Sequence, residues 1–187
     1  YALGGVSGAN FNPAVSTTLA LCKYLSWGDF GPYVASQLAG GLAAGVCYTS
    51  LTGKGVPLAP GAGHSMSSVA VAEIIATFVL CFVVANVACS RNGKSDHMFG
   101  LAIGFCIVAM GNAIGAVSGG SLNPAVSFGL DGSNAMKGGS FGNCGAYALF
   151  ELVGAGVAYG AFAVCRDEEF AKQGLLCKVE KPDYGTA

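Results

Sequence analysis

VSGANFNPAVS, Val6 to Ser16, returns as VSGGSLNPAVS, Val117 to Ser127, with eight of eleven positions identical and an offset of 111 residues. Asparagine is a favoured helix N-cap and proline a favoured first helical residue. N-P-A followed by small or apolar residues therefore reads as a helix start. One such start is common in any helical protein. Two in matching flanks point to an internal duplication, and the residues around them say in which solvent it folds.

Hydrophobic residues make up 53% of the 187 and charged residues only 10%, which fits lipid better than water. No charge interrupts Phe30 to Gly53, and Glu73 alone interrupts Ser65 to Ser90. Nothing charged falls between Met98 and Leu130, and Glu151 alone interrupts Gly138 to Cys165. Each run holds a span of about 20 residues. Transmembrane helices are expected near 31–50, 68–89, 98–117 and 145–165.

Each NPA copy lies in an uncharged segment but is followed by too few apolar residues to cross a bilayer. Lys23 closes the first, and Asp131-Gly132-Ser133-Asn134 closes the second. Both read as re-entrant half-helices. Three expected spans separate Asn12 from Asn123, and an odd number puts the two loops on opposite faces, an inverted repeat. The half-helices then meet at mid-bilayer, N-terminus to N-terminus, where irregular backbone is tolerated only inside protein or along a water-filled cavity. Each N-terminus carries roughly half a positive charge, which opposes cations and hydronium. Asn12 and Asn123 can each cap a half-helix with the side-chain oxygen and leave the amide NH2 as a donor to a passing oxygen atom.

Thirty glycines suit packed membrane helices. Gly41 with Gly45, Gly100 with Gly104, Gly111 with Gly115, and Gly156 with Gly160 each form a strip on one helix face. There is no CxxC, and Cys47, Cys81, Cys89, Cys106 and Cys165 read as buried small hydrophobes. His64 and His97 fall in expected loops and read as solvated. Neither a metal site nor a cofactor is expected, and the net charge of −1 gives no hint of a nucleic-acid partner.

These residues resemble the major intrinsic protein family, the aquaporins and aquaglyceroporins. Besides the two NPA stretches, AEIIATFVLCFVVAN, Ala72 to Asn86, resembles the family's fourth span, and YVASQLAGGLAAG, Tyr33 to Gly45, its third. The resemblance implies an all-α polytopic membrane bundle whose pore is marked by Asn12, Pro13, Ala14, Asn123, Pro124 and Ala125. It implies that Gln37 and Glu73 hold backbone groups of the re-entrant loops, and that the protein is a homotetramer with one pore per subunit. By the family's spacing the selectivity filter falls at Gly111, Gly120 and Val126. The family usually has arginine where Val126 stands, and glycerol-selective members usually have aspartate where Ser127 stands. Asn10 replaces a common histidine, and Glu151 stands where a Gly-Pro pair is expected. Three small or apolar filter residues imply a wide, weakly polar constriction.

Eleven residues precede Asn12, whereas two spans fit between Ser68 and Asn123. By the symmetry of the repeat, four full spans are present and two N-terminal spans are missing; the opening YALGG reads as the tail of a helix. Residues 1–165 are expected to form the channel domain and 166–187 a cytosolic tail. If the first loop enters from the cytoplasm, Lys23, Arg91, Lys94, Arg166, Lys172, Lys178 and Lys181 lie inside and Lys54 and Lys137 outside, as the positive-inside rule requires. The expected function is a passive channel for water and small neutral solutes of the glycerol, urea or ammonia class, in the plasma membrane or an internal membrane, closed to protons and ions. A closed, adhesive or scaffolding protein of the same fold is the alternative. An intramembrane enzyme is the weakest reading, because no nucleophile and base fall together.

Overall fold

The computed structural model describes residues 1–90 and 97–171, and among these every regular element is a helix. A short turn, α1 (Gly4–Ser7), leads into the half-helix α2 (Pro13–Leu21). Three long helices follow: α3 (Trp27–Thr52), α4 (Met66–Val84) extended by a π turn (Ala85–Cys89), and α5 (Phe99–Ser118). The second half-helix α6 (Pro124–Ala135) precedes α7 (Asn143–Cys165) and the short α8 (Asp167–Ala171). The long helices cover the four expected spans. Three of them, Met66–Cys89, Phe99–Ser118 and Asn143–Cys165, combine the length and apolar composition needed to cross a membrane. The fourth, α3, has 26 residues, about 39 Å at 1.5 Å each, but is diluted by Ser, Thr, Gln and Gly.

The helices pair according to the repeat. α3 packs on α6 and α7 packs on α2, while α4 lies between α5 and α7. One end of the bundle is closed by Cys22, Ala85 and Phe162, from the C-terminal ends of α2, the α4 extension and α7. The opposite end is closed by Leu58, Val69 and Tyr147, with Leu130 of α6 packed against them. The half-helices thus point their C-termini to opposite ends and their N-termini towards each other. Between the two ends lies the main core, with Ala14, Ala76, Leu80, Leu122, Ala155 and Ala158 buried together. The outer faces keep large apolar side chains exposed, among them Phe105, Val108, Leu149 and Val164, as a lipid solvent requires.

Glycine makes the closest approaches. A methyl group added at Gly41 would collide with the Ala125 carbonyl, one at Gly45 with the Gly129 carbonyl, and one at Gly129 with the Gly41 carbonyl. α3 and α6 therefore touch backbone to backbone, the use of small residues that membrane packing favours. Gly154 of α7 also lies close to α4, where an added Cβ would stand 2.6 Å from the Ile74 carbonyl. The other expected strips differ. Gly100 packs on the Tyr1 ring, but nothing lies within 4 Å of a Cβ added at Gly104, Gly111, Gly115, Gly156 or Gly160. Those positions face open space in the single chain, because spacing sets only which residues share a face and not what that face meets.

Two further expectations are corrected. α6 does not stop at Asp131 but runs through Asp131-Gly132-Ser133-Asn134 to Ala135. The reason is that Asp131 is buried and its Oδ2 accepts from the backbone N–H groups of Gly142 (3.0 Å) and Cys144 (2.7 Å), so it caps the start of α7 from inside the bundle. Of the five cysteines expected to be buried, Cys81 and Cys89 are, Cys106 is half-buried, and Cys47 and Cys165 are exposed on the outer surface. An apolar span does not distinguish a core face from a lipid face. His64 and His97 are exposed, as expected.

Candidate pore site

The two loops begin with the same turn, and differ further on, where Leu122 (φ 53) is left-handed and its counterpart Phe11 is not. α1 ends in Gly8 (φ 72) followed by Ala9 (φ 51), and α5 ends in Gly119 (φ 88) followed by Gly120 (φ 69). These are matching positions at the offset of 111, and a pair of left-handed residues turns each chain from one helix towards the next half-helix. Gly120 also needs its missing side chain for space, since a Cβ there would lie 2.8 Å from the Gly111 carbonyl.

Each loop then ends in its asparagine. Asn12 accepts at Oδ1 from the N–H groups of Ala14 (2.8 Å) and Val15 (3.4 Å), and Asn123 accepts from Ala125 (2.9 Å), with Pro13 and Pro124 in the first helical positions. The amide groups cross over. Asn12 Nδ2 donates to the Leu122 carbonyl at 2.8 Å, and Asn123 Nδ2 donates to the Phe11 carbonyl at 3.1 Å. The asparagines therefore meet at one place and tie the two loops together. The sequence reading left both amides open to a passing molecule; one hydrogen of each is instead engaged across the junction, and the second remains, because an NH2 carries two.

Buried polar side chains hold the loops from behind. Gln37 on α3 donates through Nε2 to the Asn10 carbonyl (2.7 Å) and to Ser16 Oγ (2.8 Å). Asn10 Nδ2 also donates to Ser16 Oγ at 2.8 Å. Glu73 on α4, fully buried, accepts at Oε1 from the Ser118 hydroxyl (2.7 Å) and the Ser121 N–H (3.0 Å), and at Oε2 from the Leu122 N–H (2.9 Å). Glu151 on α7, also fully buried, accepts at Oε1 from the Asn123 N–H (2.9 Å) and the Ser127 hydroxyl (3.0 Å). Three consecutive amides, Ser121 to Asn123, thus end on two carboxylates. Backbone that forms no helix or strand would otherwise leave these donors unsatisfied in the membrane interior, at a cost of several kcal/mol each.

Sequence reasoning missed several of these groups. Glu151 had no assigned role, although as one of two carboxylates in the apolar runs it demanded a partner. Ser16 and Ser127 were visible as invariant positions of the repeat but had no contact to argue from. Tyr147, whose hydroxyl donates to the Ser118 carbonyl at 2.9 Å, carried no signal.

Two cavities adjoin the junction, and both are lined by Asn10, Phe11 and Asn123. One, of about 370 Å³, runs between the first loop, α2, α4 and α5; Leu80, Val84, Ile103 and Ile107 make its apolar wall, and it reaches Asn12 and Asn123. The other, of about 640 Å³, lies between α3 and the two loops and reaches Gln37 and Val126. No Lys, Arg or His is among the described residues that line either. Of the three expected filter positions, Gly111 and Gly120 approach backbone to backbone, and Val126 is 41% exposed towards the larger cavity.

The fold and this junction define a class: a membrane helix bundle with an inverted repeat, whose two half-helices meet through capping asparagines. The profile of the major intrinsic protein family matches residues 1–163. Aquaporin NIP1-1 of Oryza sativa subsp. japonica is 36% identical over 170 residues, which cover 89% of this chain and 57% of that protein. Aquaporin NIP1-1 of Zea mays is 35% identical over 170 residues, covering 89% and 58%. The X-ray structure of the aquaglyceroporin from Plasmodium falciparum superposes with a TM-score of 0.72 at 22% identity, over 90% of this chain and 77% of that one, and so shares the fold. The chain belongs to the major intrinsic protein family and is a multi-pass integral membrane protein. It spans under two thirds of the length of these rice and maize relatives.

Proposed function

We propose that the protein is a passive transmembrane channel for water and small neutral solutes of the glycerol, urea or ammonia class, which opposes protons and ions and works as a homotetramer. The observation that carries this reading is the reciprocal Asn12–Leu122 and Asn123–Phe11 pairing at the end of an apolar-walled cavity. At such a junction one free amide hydrogen of each asparagine can donate to the oxygen of a passing molecule, while the carboxyl groups of Glu73 and Glu151 are engaged by the loop backbone behind it. Membership of a family of channels also argues against an enzyme. Val126 lines the larger cavity without bringing a cation, and Gly111 and Gly120, which line neither cavity, add no side chain at the other expected filter positions; this supports passage of solutes larger than water.

The test is osmotic. Liposomes carrying the native-length protein should shrink in hyperosmotic sucrose faster than empty ones, and should re-swell faster in glycerol, urea or an ammonium gradient. Folded protein that accelerates none of these would leave the adhesive or scaffolding reading in its place. Water flux without any solute flux would overturn only the wide filter.

A further inference from the structure

Within the repeated stretch the two copies differ at three positions, which stand side by side just before the asparagine: Ala9, Asn10 and Phe11 in the first, Gly120, Ser121 and Leu122 in the second. The shared positions build the turn and the start of each half-helix. What distinguishes the two sides of the junction is left to these three, and the cavities meet them unequally. Ala9, Asn10 and Phe11 all line the smaller cavity, and Asn10 and Phe11 line the larger one as well. None of Gly120, Ser121 and Leu122 lines either.

Backbone conformation goes with the difference. Leu122 is left-handed, its N–H donates to Glu73 Oε2 at 2.9 Å, and it is 2% exposed, packed into the main core with Ala14 and Leu80. Phe11, its counterpart, is not left-handed and stands 57% exposed. The Phe11 carbonyl accepts from Asn123 Nδ2 at 3.1 Å, which holds the residue beside the amide groups that a passing molecule meets. Of the three residues common to both cavities, Asn10, Phe11 and Asn123, Phe11 is the bulkiest. The expected filter positions leave the narrowing to it, because Gly111 and Gly120 carry no side chain and Val126 lines the larger cavity alone.

We infer that Phe11 sets the upper size limit of this channel: its side chain stands at the asparagine junction, on the first loop alone, and holds back neutral solutes that the expected filter positions would admit. This rests on the channel reading above. The experiment measures permeability to water, glycerol and xylitol by stopped-flow light scattering, in liposomes of the native-length protein, with each solute's value divided by that of water. Because Phe11 is exposed, its truncation leaves no void in the core. Phe11→Ala should raise the xylitol-to-water ratio by about tenfold, the effect of a barrier change of about 1.4 kcal/mol. Phe11→Trp should lower the glycerol-to-water ratio, and carries the test alone if Phe11→Ala does not fold. A rise in the xylitol ratio for Val126→Ala with none for Phe11→Ala would put the limit at the expected filter and overturn the inference. Unchanged ratios in the folded Phe11 variants would overturn it too, and in both cases the channel reading stands. Absence of water and solute flux in the unsubstituted protein would overturn the channel reading and this inference together.

Discussion

At Val126 the side chain stands 41% exposed beside a cavity that holds no cation among its described lining residues. An arginine there would bring donors, a charge and bulk. Val126→Arg is expected to reduce glycerol or urea flux more than water flux, measured by stopped-flow light scattering on the same vesicles. An equal loss of all fluxes would show that the position does not act by size. The asparagines could be read in advance because capping is local: the oxygen of Asn12 or Asn123 meets an N–H only two residues away. Glu151 could not, because its partner Asn123 lies 28 residues earlier and the choice between Asn123, Ser121 and Leu122 is made by helix rotation, which has no sequence signature.

Among the elements, the contact of α3 with α6 carries the sharpest expectation. Gly41 faces the Ala125 carbonyl, so Gly41→Leu must push the half-helix away from its support. We expect a stability loss of about 1–3 kcal/mol, the usual range for overpacking, seen as a lower unfolding midpoint in detergent by intrinsic fluorescence. An unchanged midpoint would mean that the two helices do not touch along Gly41. The positions of the long helices were legible from charge-free runs, since burying a charge in lipid is costly. The end of α6 was not. Asp131 to Asn134 look like turn residues until Asp131 is seen to cap α7, a contact between two elements and not a property of either.

For the whole molecule, Lys23 and Arg166 lie towards the end closed by Cys22 and Phe162, and Lys54 and Lys137 towards the other. With the first loop entering from the cytoplasm, single cysteines in place of Lys54 or Lys137 should react with an impermeant maleimide in intact cells. One in place of Lys23 should react only after permeabilisation. The reverse pattern would invert the orientation. Arg91, Lys94, Lys172, Lys178 and Lys181, five of the seven cations assigned to the inside, fall outside the described residues.

The membrane solvent, the two half-helix starts and their opposed directions followed from the sequence alone, because apolar runs, N-cap chemistry and the parity of spans are local or countable. Tertiary structure decided the rest. The amide of Asn12 reaches a carbonyl 110 residues away and that of Asn123 one 112 away, so neither bond leaves a trace in any short stretch. It also decided that Gly41 and Gly45 bury their faces while Gly156 and Gly160 do not, and that two carboxylates share one loop. Such choices depend on how rigid helices pack against each other, and identical spacing is compatible with either outcome.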